Sequence, residues 1–111
     1  MPSKTILIQS EGLGRADDEL GVMLMSSFLR LLVESQEQPG SLVFWNTGVR
    51  LVCDGSWAQG HLKKLEEQGV EILACSTCLE YFGLTDKLLV GKPTNMVRSI
   101  QSMLTTDMVC L

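Results

Sequence analysis

The sequence predicts an α/β fold: one domain over residues 1–111, with a mostly parallel β-sheet of about five strands and helices on both faces. Short apolar runs, often rich in β-branched residues, alternate with helix-type stretches along the whole chain. Strands that alternate with helices typically form βαβ units, in which crossover helices cover the faces of a parallel sheet. A chain of 111 residues is long enough for one such domain and too short for two.

The first half of the chain supplies two predicted strands and a long helix between them. Residues 4–9 and 41–45 are apolar runs next to glycine-containing loops, which is typical of buried strands. Three carboxylates at residues 17–19 stand where the positive end of a helix favours them. The helix has a broad apolar stripe made of two rows: Leu20, Leu24, Phe28 and Leu31, and beside them Met25, Leu29 and Leu32. Because packing against one sheet face does not require so broad a stripe, we expect this helix to contact both the sheet and a neighbouring subunit.

The middle of the chain predicts a second helix. Ser56 and Gln59 have the spacing of a capping box, in which two side chains satisfy free backbone donors at a helix start. The helix is expected to run to residue 68, with Gly69 as its C-terminal cap. Residues 49–53, just before it, fit a short strand and an extended connector equally well.

Three further strands and a third long helix complete the predicted pattern. The strands are expected at residues 70–74, 87–90 and 107–111, which brings the sheet to five strands. Thr94 is the expected cap of the helix, whose apolar residues recur at helical spacing at Met96, Ile100, Met103 and Leu104.

The charge balance argues against nucleic-acid and membrane partners. Thirteen acidic and nine basic residues give a net charge of −4, and Lys63 and Lys64 are the only adjacent basic pair. Nucleic acids and anionic membranes attract clustered basic residues. No apolar run approaches the roughly 20 residues that a membrane-spanning helix needs. We therefore expect a soluble protein with neither kind of partner.

The cysteines point to thiol chemistry. The chain begins Met-Pro-Ser-Lys, without the basic start, apolar centre and cleavage site of an export signal, so we expect a cytoplasmic location. In a reducing cytoplasm, four cysteines in a domain with its own core are expected to be thiols rather than a disulfide framework. Two of them, Cys75 and Cys78, form a CxxC motif at the end of the third predicted strand.

Small and polar residues gather at one predicted edge of the sheet. The loops at the carboxyl ends of parallel strands meet at this edge, and sites form among them. Around the two cysteines we therefore predict a set of binding residues from several loops: Gly12, Gly14, Asn46, Thr77, Lys92 and Asn95.

Cys78 is the candidate nucleophile. Thr77 and Glu80 have capping-box spacing, which predicts that Thr77 caps a short helix, that Cys78 is its first residue and that Gly83 ends it. A thiol at a helix N-terminus meets free N–H groups and the positive end of the dipole, so we expect a lowered pKa for Cys78. The carboxylate of Glu80 acts in the opposite direction.

The other cysteines are weaker candidates for a reactive thiol. Cys75 is either a small buried hydrophobe at a strand end or the thiol that resolves an oxidised Cys78. Cys53 and Cys110 are interpreted as core or edge residues. Trp45 is expected in the core or in a subunit contact.

The sequence does not predict a metal or cofactor site. A structural zinc ion needs four ligands, whereas the chain offers one CxxC pair and a single histidine, His61, inside a predicted helix. Gly12 and Gly14 begin a dinucleotide-like glycine pattern, but Asp17 stands where the third glycine belongs. We interpret the glycines as a flexible turn that borders the site.

Several motifs together resemble the DsrE/DsrF-like sulfur-relay family. They cover essentially the whole chain and read "GLGRADDELGVMLMSSFL", "NTGVRLVCDGS", "LEEQGVEILACSTCLEYFGL" and "LLVGKPTNM". Within this family the sequence is similar above all to the carboxyl-terminal domain of YedF-type selenium-metabolism, sulfurtransferase-like proteins. Such proteins usually carry an additional N-terminal TusA-like domain, and we expect none in this sequence.

The resemblance implies a DsrE-like domain with flavodoxin- or Rossmann-like layering that is commonly oligomeric. It also implies that a cysteine carries sulfur as a persulfide between donor and acceptor proteins. The cysteine that matches the family's TCL element is Cys78, between Thr77 and Leu79. In this interpretation Lys92 adds positive charge near the terminal sulfur. Other positions that recur in the family are Asn46, Gly48, Gly91, Asn95 and Met96.

Three functions stay open at this level. A sulfur carrier requires Cys78 and tolerates replacement of Cys75. A dithiol oxidoreductase requires both cysteines and a reversible disulfide between them. An oligomeric interaction module requires neither.

Overall fold

The five strands of the sheet are all parallel in the computed structural model, which describes residues 4–111. The predicted α/β class and parallel sheet are confirmed. The expectation that the chain lacks an export signal depends on its first residues, of which residues 1–3 lie outside the described part. The strands are β1 (Lys4–Ile8), β2 (Ser41–Phe44), β3 (Glu71–Cys75), β4 (Lys92–Thr94) and β5 (Asp107–Cys110), in the spatial order β4-β3-β2-β1-β5.

Helices connect these strands on both faces of the sheet. Over residues 4–111 they are α1 (Asp18–Glu34), α2 (Gln59–Glu67), α3 (Ser76–Tyr81) and α4 (Met96–Thr105), with short 3-10 helices at Asn46–Val52 and Thr85–Lys87. The chain steps from β1 to β4 in one direction, so right-handed crossovers place α1, α2 and α3 on one face. The return from β4 to β5 places α4 on the other face. Within the described residues, no helix is both long and apolar enough to span a bilayer.

The main core lies between one face of the sheet and the helices α1 and α2. Alternate strand residues point into it, as the two-residue period of a strand requires. Each large side chain buried there stabilises the fold by about 1.5–3 kcal/mol. Fully buried members include Ile8, Met25, Leu29, Leu42, Phe44, Leu62, Leu65 and Ile72.

Helix α1 begins as predicted and separates its two apolar rows. Oδ1 of Asp17 accepts the N–H of Leu20 at 2.9 Å and caps the helix. The row that contains Met25 and Leu29 faces the core, and both residues are 0% exposed. Most of the other row is in contact with solvent, since Leu20, Leu24 and Leu31 are 51%, 46% and 53% exposed.

The opposite face of the sheet has a smaller core, made by Leu7, Val43 and Leu73. Helix α4 lies on this face and buries only Ser99 among its own residues. Its apolar side chains are exposed instead, and we call them the α4 outer face: Met96, Val97, Ile100, Met103 and Leu104, which are 54%, 69%, 47%, 38% and 80% exposed. Helical spacing identified Met96, Ile100, Met103 and Leu104 as apolar residues of α4, but it did not show that these side chains face solvent.

The fourth strand lies further along the chain than predicted. Residues 87–90 do not form a strand of the sheet. Within this segment, Leu88 makes an isolated antiparallel bridge with Cys53. The strand is β4, which contains Pro93. Proline lacks a backbone N–H and is tolerated at the edge position that β4 occupies, although its presence argues against a strand in sequence-based interpretation.

The segment between β2 and α2 also differs from the prediction. Residues 49–53 are neither a strand nor an extended connector, since most of them belong to the 3-10 helix Asn46–Val52. Oγ of Ser56 accepts the N–H of Ala58 at 3.0 Å in a turn, so Ser56 does not cap α2, which begins at Gln59. Gly69 follows the end of the helix at a φ of +101°, as the predicted C-terminal cap requires.

The start of α4 is capped by a different residue from the one predicted. Thr94 is the last residue of β4 and does not cap the helix. The next residue, Asn95, does so, because its Oδ1 accepts the N–H of Arg98 at 2.9 Å.

Gly91 is a position at which a side chain would be poorly tolerated. Its φ is +82°, and an added Cβ would lie 2.7 Å from Cγ2 of Ile72. We expect Gly91→Ala to lower the free energy of unfolding by about 3 kcal/mol, because backbone strain adds to a clash in the core. Urea unfolding curves measure this difference.

Gly60→Ala in α2 is the matched control for that variant. Apart from its chain neighbours and the adjacent backbone of α2, nothing in the described structure lies within 4 Å of its added methyl group. Alanine has the higher helix propensity, so this variant should gain about 0.5–1 kcal/mol. Equal stability of Gly91→Ala and the wild type would contradict the prediction.

Candidate functional site

A cavity of about 420 Å³ opens at the carboxyl edge of the sheet. Its volume lies within the roughly 300–1,000 Å³ of small-molecule sites. The lining residues follow four strands: Gln9 after β1, Trp45 and Asn46 after β2, Cys75, Thr77 and Cys78 from the β3–α3 junction, and Thr94, Asn95, Met96 and Ser99 from the β4–α4 junction. We call this space the cysteine cavity.

The position of the cysteine cavity follows from the chain topology. After β3 the chain turns into α3 on one face of the sheet, whereas after β4 it turns into α4 on the opposite face. Ligands in open α/β sheets bind in the crevice that such diverging connections leave outside the strand ends. Both cysteines of the CxxC motif lie at one side of this crevice, and the start of α4 lies at the other.

The thiol of Cys78 accepts a hydrogen bond from a backbone N–H group. Sγ of Cys78 accepts the N–H of Asn46 at 3.2 Å, across the gap between β2 and β3. Asn46 has a φ of +53°, in the left-handed region that asparagine enters more readily than most residues. Cys78 is half-buried. Its sulfur therefore combines partial burial with a directed hydrogen bond.

The burial of Cys78 outweighs its backbone donors. Partial burial is the main cause that raises the pKa of the Cys78 thiol above its ordinary value, and the hydrogen bond and charge of Cys75 raise it further. The N–H groups of Asn46 and of Cys78 itself act in the lowering direction and are smaller effects. The expectation of a lowered pKa is therefore wrong.

Cys75 takes the role that we predicted for Thr77. Sγ of Cys75 accepts the N–H of Cys78 at 3.4 Å and caps α3, which begins at Ser76. Cys78 is thus the third residue of the helix rather than the first, and its N–H is already engaged. Gly83 follows the helix at a φ of +67°, close to the predicted end.

Some of the predicted binding residues lie together with the two cysteines, and others do not. Asn46, Thr77 and Asn95 line the cysteine cavity. Gly12 and Gly14 line a separate cavity of about 290 Å³ beside the start of α1. Lys92 is exposed at the amino end of β4, and it does not line the cysteine cavity.

Five lining residues were not among the predicted catalytic and binding residues, namely Gln9, Trp45, Thr94, Met96 and Ser99. Gln9 and Trp45 directly follow β1 and β2, so the rule that sites form after parallel strands could have identified them. This rule could not have identified Ser99, because its position in the cavity depends on which face of α4 packs against the sheet.

The other candidate thiols and the histidine lie away from this cavity. Cys53 is buried, donates through its Sγ to the carbonyl of Val49 at 3.2 Å, and has a pKa raised by burial, all of which fit a core residue. Cys110 is exposed on β5, and His61 lies on α2. Across residues 4–111, no three His, Cys, Asp or Glu side chains are grouped so that they could hold a metal ion.

Solved structures share this architecture from end to end. The ychN protein from E. coli has a TM-score of 0.77 and 20% identity, with 100% of each chain covered. MTH1491 from Methanobacterium thermoautotrophicum, a protein of unknown function, has a TM-score of 0.69 and 22% identity, with 97% of each chain covered. BT1422 from Bacteroides thetaiotaomicron, also of unknown function, has a TM-score of 0.68 and 14% identity, with 98% of this chain and 95% of that chain covered. At these identities the likeness establishes the fold.

Family membership comes from the sequence itself. A search of curated proteins gave no significant match. The DsrE/DsrF-like family model, in contrast, matches residues 23–109, which include most of α1 and both cysteines of the CxxC motif. Because this match spans most of the chain, the protein belongs to the DsrE/DsrF-like family.

Proposed function

We propose that the protein is a sulfur-relay carrier that holds sulfane sulfur on Cys78 as a persulfide and passes it to a cysteine of a partner protein. The main support is the position of Cys78, whose half-buried Sγ lines the cysteine cavity and accepts the N–H of Asn46 at 3.2 Å. Membership of the DsrE/DsrF-like family fits a function of sulfur-relay type.

The chemistry requires two thiol exchanges. In the first, the Cys78 thiolate attacks the sulfane sulfur of a donor, the sulfur–sulfur bond of the donor breaks, and the donor leaves as a thiolate. In the second, an acceptor thiolate attacks the terminal sulfur on Cys78 and restores the Cys78 thiolate. No net oxidation occurs in either step, so the carrier needs no redox cofactor.

A dithiol function is the alternative that a specific contact supports. The N–H of Cys78 donates to Sγ of Cys75 at 3.4 Å, so the second thiol lies beside the first. Under oxidation the two could form a reversible disulfide. The carrier is favoured because Cys75 already has a structural role as the cap of α3.

The finer resemblance, to YedF-type selenium-metabolism proteins, belongs to this proposal rather than to the family assignment. It rests on the four sequence motifs that together resemble this family, and Cys78 is the cysteine of their TCL element. A cytoplasmic location is part of the proposal too, since all four cysteines are free thiols.

We also propose that copies of the chain associate. Two exposed apolar surfaces support this: the outer row of α1, with Leu20, Leu24 and Leu31, and the α4 outer face. The α4 outer face adjoins the cysteine cavity because Met96 belongs to both. A second copy on α4 would therefore lie at the mouth of the cavity.

Mass spectrometry of the intact protein tests the carrier function. After incubation with inorganic polysulfide, we expect the wild type to gain the mass of one sulfur atom and Cys78→Ser to gain none. Cys75→Ser should retain the added sulfur, as should Cys110→Ser, which removes an exposed thiol as a matched control. A loss of two hydrogens that requires both Cys75 and Cys78 would instead establish the dithiol function.

The pH dependence of sulfur uptake tests the electrostatics of Cys78. Since its pKa is raised, the thiolate is the minor form at neutral pH, and the rate should increase about tenfold per pH unit between about pH 6 and 8. Cys75→Ala should shift this profile to lower pH, because the hydrogen bond and the charge of Cys75 both raise the pKa of Cys78. Single-turnover rates measure both profiles. A plateau near neutral pH in the wild type would contradict the prediction.

Light scattering during gel filtration tests self-association. Val97→Glu on α4 and Leu24→Glu on α1 each place a charge in an exposed apolar surface, so the variant at the true interface should run as a monomer. Thermal unfolding by circular dichroism should confirm that both variants stay folded, since neither side chain is in the core. A monomeric wild type at micromolar concentration would overturn the proposal.

A further inference from the structure

The backbone changes direction at Asn46, which lines the cysteine cavity. Within residues 4–111, Asn46 and Ala16 are the only residues other than glycine with a positive φ, at +53° and +85°. Such a conformation is strained in a residue with a side chain, although less so in asparagine, and it persists only where the surrounding structure requires it. Contacts on both sides of Asn46 must therefore impose its conformation.

The strand end before Asn46 directs its N–H group. Trp45 is extended, with a φ of −122° and a ψ of 160°, and its N–H donates to the carbonyl of Ile8 on β1 at 2.9 Å. Successive N–H groups of a strand point to opposite neighbours, so the N–H of Asn46 faces β3. There it donates to Sγ of Cys78 at 3.2 Å, in place of the carbonyl oxygen that a longer ladder would provide.

The chain after Asn46 is held against β1 instead. The N–H of Gly48 donates to the carbonyl of Trp45 at 2.9 Å, and a Cβ on Gly48 would lie 2.6 Å from the carbonyl oxygen of Ile8. The positive φ of Asn46 lets the chain make this turn while its N–H stays on the sulfur. A residue that required a negative φ would have to lose either the contact with β1 or the bond to Cys78.

The side chain of Asn46 supports this conformation. Its Oδ1 accepts the N–H of Thr47 at 2.8 Å, the kind of local hydrogen bond that helps asparagine adopt a left-handed conformation. The residue is exposed, and its side chain makes no other hydrogen bond within residues 4–111. What the turn requires at this position is therefore a backbone conformation, which glycine supplies equally well.

From this geometry we propose that Asn46 is a positioning residue for sulfur transfer: its left-handed backbone holds its N–H on the sulfur of Cys78 and stabilises the thiolate there. The inference rests on the proposed carrier function and adds a residue that controls the reactive thiol. The thiolate takes part in both exchanges, because it is the nucleophile when sulfur arrives and the leaving group when sulfur departs. A hydrogen bond to an ionised group is also stronger than one between neutral groups.

Few charged groups face Cys78. Cys75, at the end of β3, is the titratable neighbour in direct contact, and no described residue that lines the cavity is a lysine, arginine, aspartate or glutamate. On the elements packed nearby, Glu80 of α3 is exposed, and Arg50 of the 3-10 helix pairs with Glu11 at 3.3 Å. The influences that favour the thiolate of Cys78 are backbone N–H groups.

Loosening of the site and loss of the hydrogen bond would shift the pKa of Cys78 in opposite directions. Burial is the main cause that raises this pKa, so a looser and wetter site would lower it. The N–H of Asn46 acts in the lowering direction, so its loss would raise the pKa. The direction of a measured pKa shift therefore distinguishes a positioning role from a merely structural one.

Asn46→Gly and Asn46→Val form a matched pair of variants. Both remove the amide side chain, but glycine adopts a positive φ freely, whereas a β-branched residue strongly resists it. Alkylation of Cys78 by iodoacetamide, followed by peptide mass spectrometry from about pH 7 to about pH 10, reports the thiolate population. We expect Asn46→Val to raise the midpoint of this profile by about one pH unit, a tenfold weaker ionisation, and Asn46→Gly to rescue most of that shift.

Sulfur loading should follow the same order. At neutral pH, Asn46→Val should take up sulfur from inorganic polysulfide about threefold more slowly than the wild type, because its thiolate is about tenfold rarer but more nucleophilic. Asn46→Gly should lie much closer to the wild-type rate.

Two further variants complete the experiment. Ala16→Val places the same kind of strain at the other positive φ, in the loop before α1, and should change neither the alkylation midpoint nor the loading rate. If circular dichroism shows that Asn46→Val does not fold, Asn46→Ala takes its place, with a smaller midpoint shift in the same direction.

The outcomes separate this inference from the carrier function. An unchanged or lower midpoint in Asn46→Val overturns the positioning role, and so does an equal shift in Asn46→Gly, which would assign the effect to the amide side chain. In both cases the carrier function stands if polysulfide still loads Cys78 in the wild type. If the wild type gains no sulfur on Cys78, the carrier function fails, and the role of Asn46 in sulfur transfer fails with it.

Discussion

The hydrogen bond from the N–H of Asn46 to Sγ of Cys78 joins the two strand ends that form the site. It depends on how closely the chain after β2 lies against β1. Gly48 makes this approach possible, because a Cβ there would lie 2.6 Å from the carbonyl oxygen of Ile8. The N–H of Trp45 donates to the same oxygen at 2.9 Å. A larger residue at Gly48 would move the 3-10 helix away from β1 and take the N–H of Asn46 away from the thiol.

Opposing effects on the pKa of the Cys78 thiol determine what kind of nucleophile it can be. Burial and Cys75 favour the neutral form, and the two N–H groups favour the thiolate, with burial the largest effect. A raised pKa leaves fewer thiolates at neutral pH, but each one is a stronger nucleophile than the thiolate of a more acidic thiol. Such a thiol is protected from indiscriminate oxidation until a partner or ligand brings a reactive sulfur close to it. This behaviour suits a carrier better than an enzyme that must attack any accessible disulfide.

Periodicity and strand-end rules predicted the sheet, its parallel order and the location of both cysteines, because these depend on which residues are apolar and where the strands end. The caps were harder to predict. Cys75 caps α3 through its sulfur, a role for which serine, threonine, aspartate and asparagine are the usual residues, so Thr77 was the natural choice. Likewise, residues 87–90 are as apolar as a buried strand, but the strand begins after Gly91, whose φ is positive. It contains Pro93, which the edge position of β4 tolerates.

Two features of the folded chain are not explained by its own packing. The α4 outer face leaves large apolar side chains in water, although burying a side chain of that size is worth about 1.5–3 kcal/mol. At the end of β4, just before this helix, the hydroxyl of Thr94 has no hydrogen-bond partner among residues 4–111, at a cost of about 1–3 kcal/mol. A sequence selected only for the stability of the isolated domain would replace Leu104 with a polar residue and Thr94 with valine. The two features adjoin at the start of α4, where Met96 belongs to the α4 outer face and also lines the cysteine cavity. A protein surface that covered Met96 would therefore border the cysteine cavity.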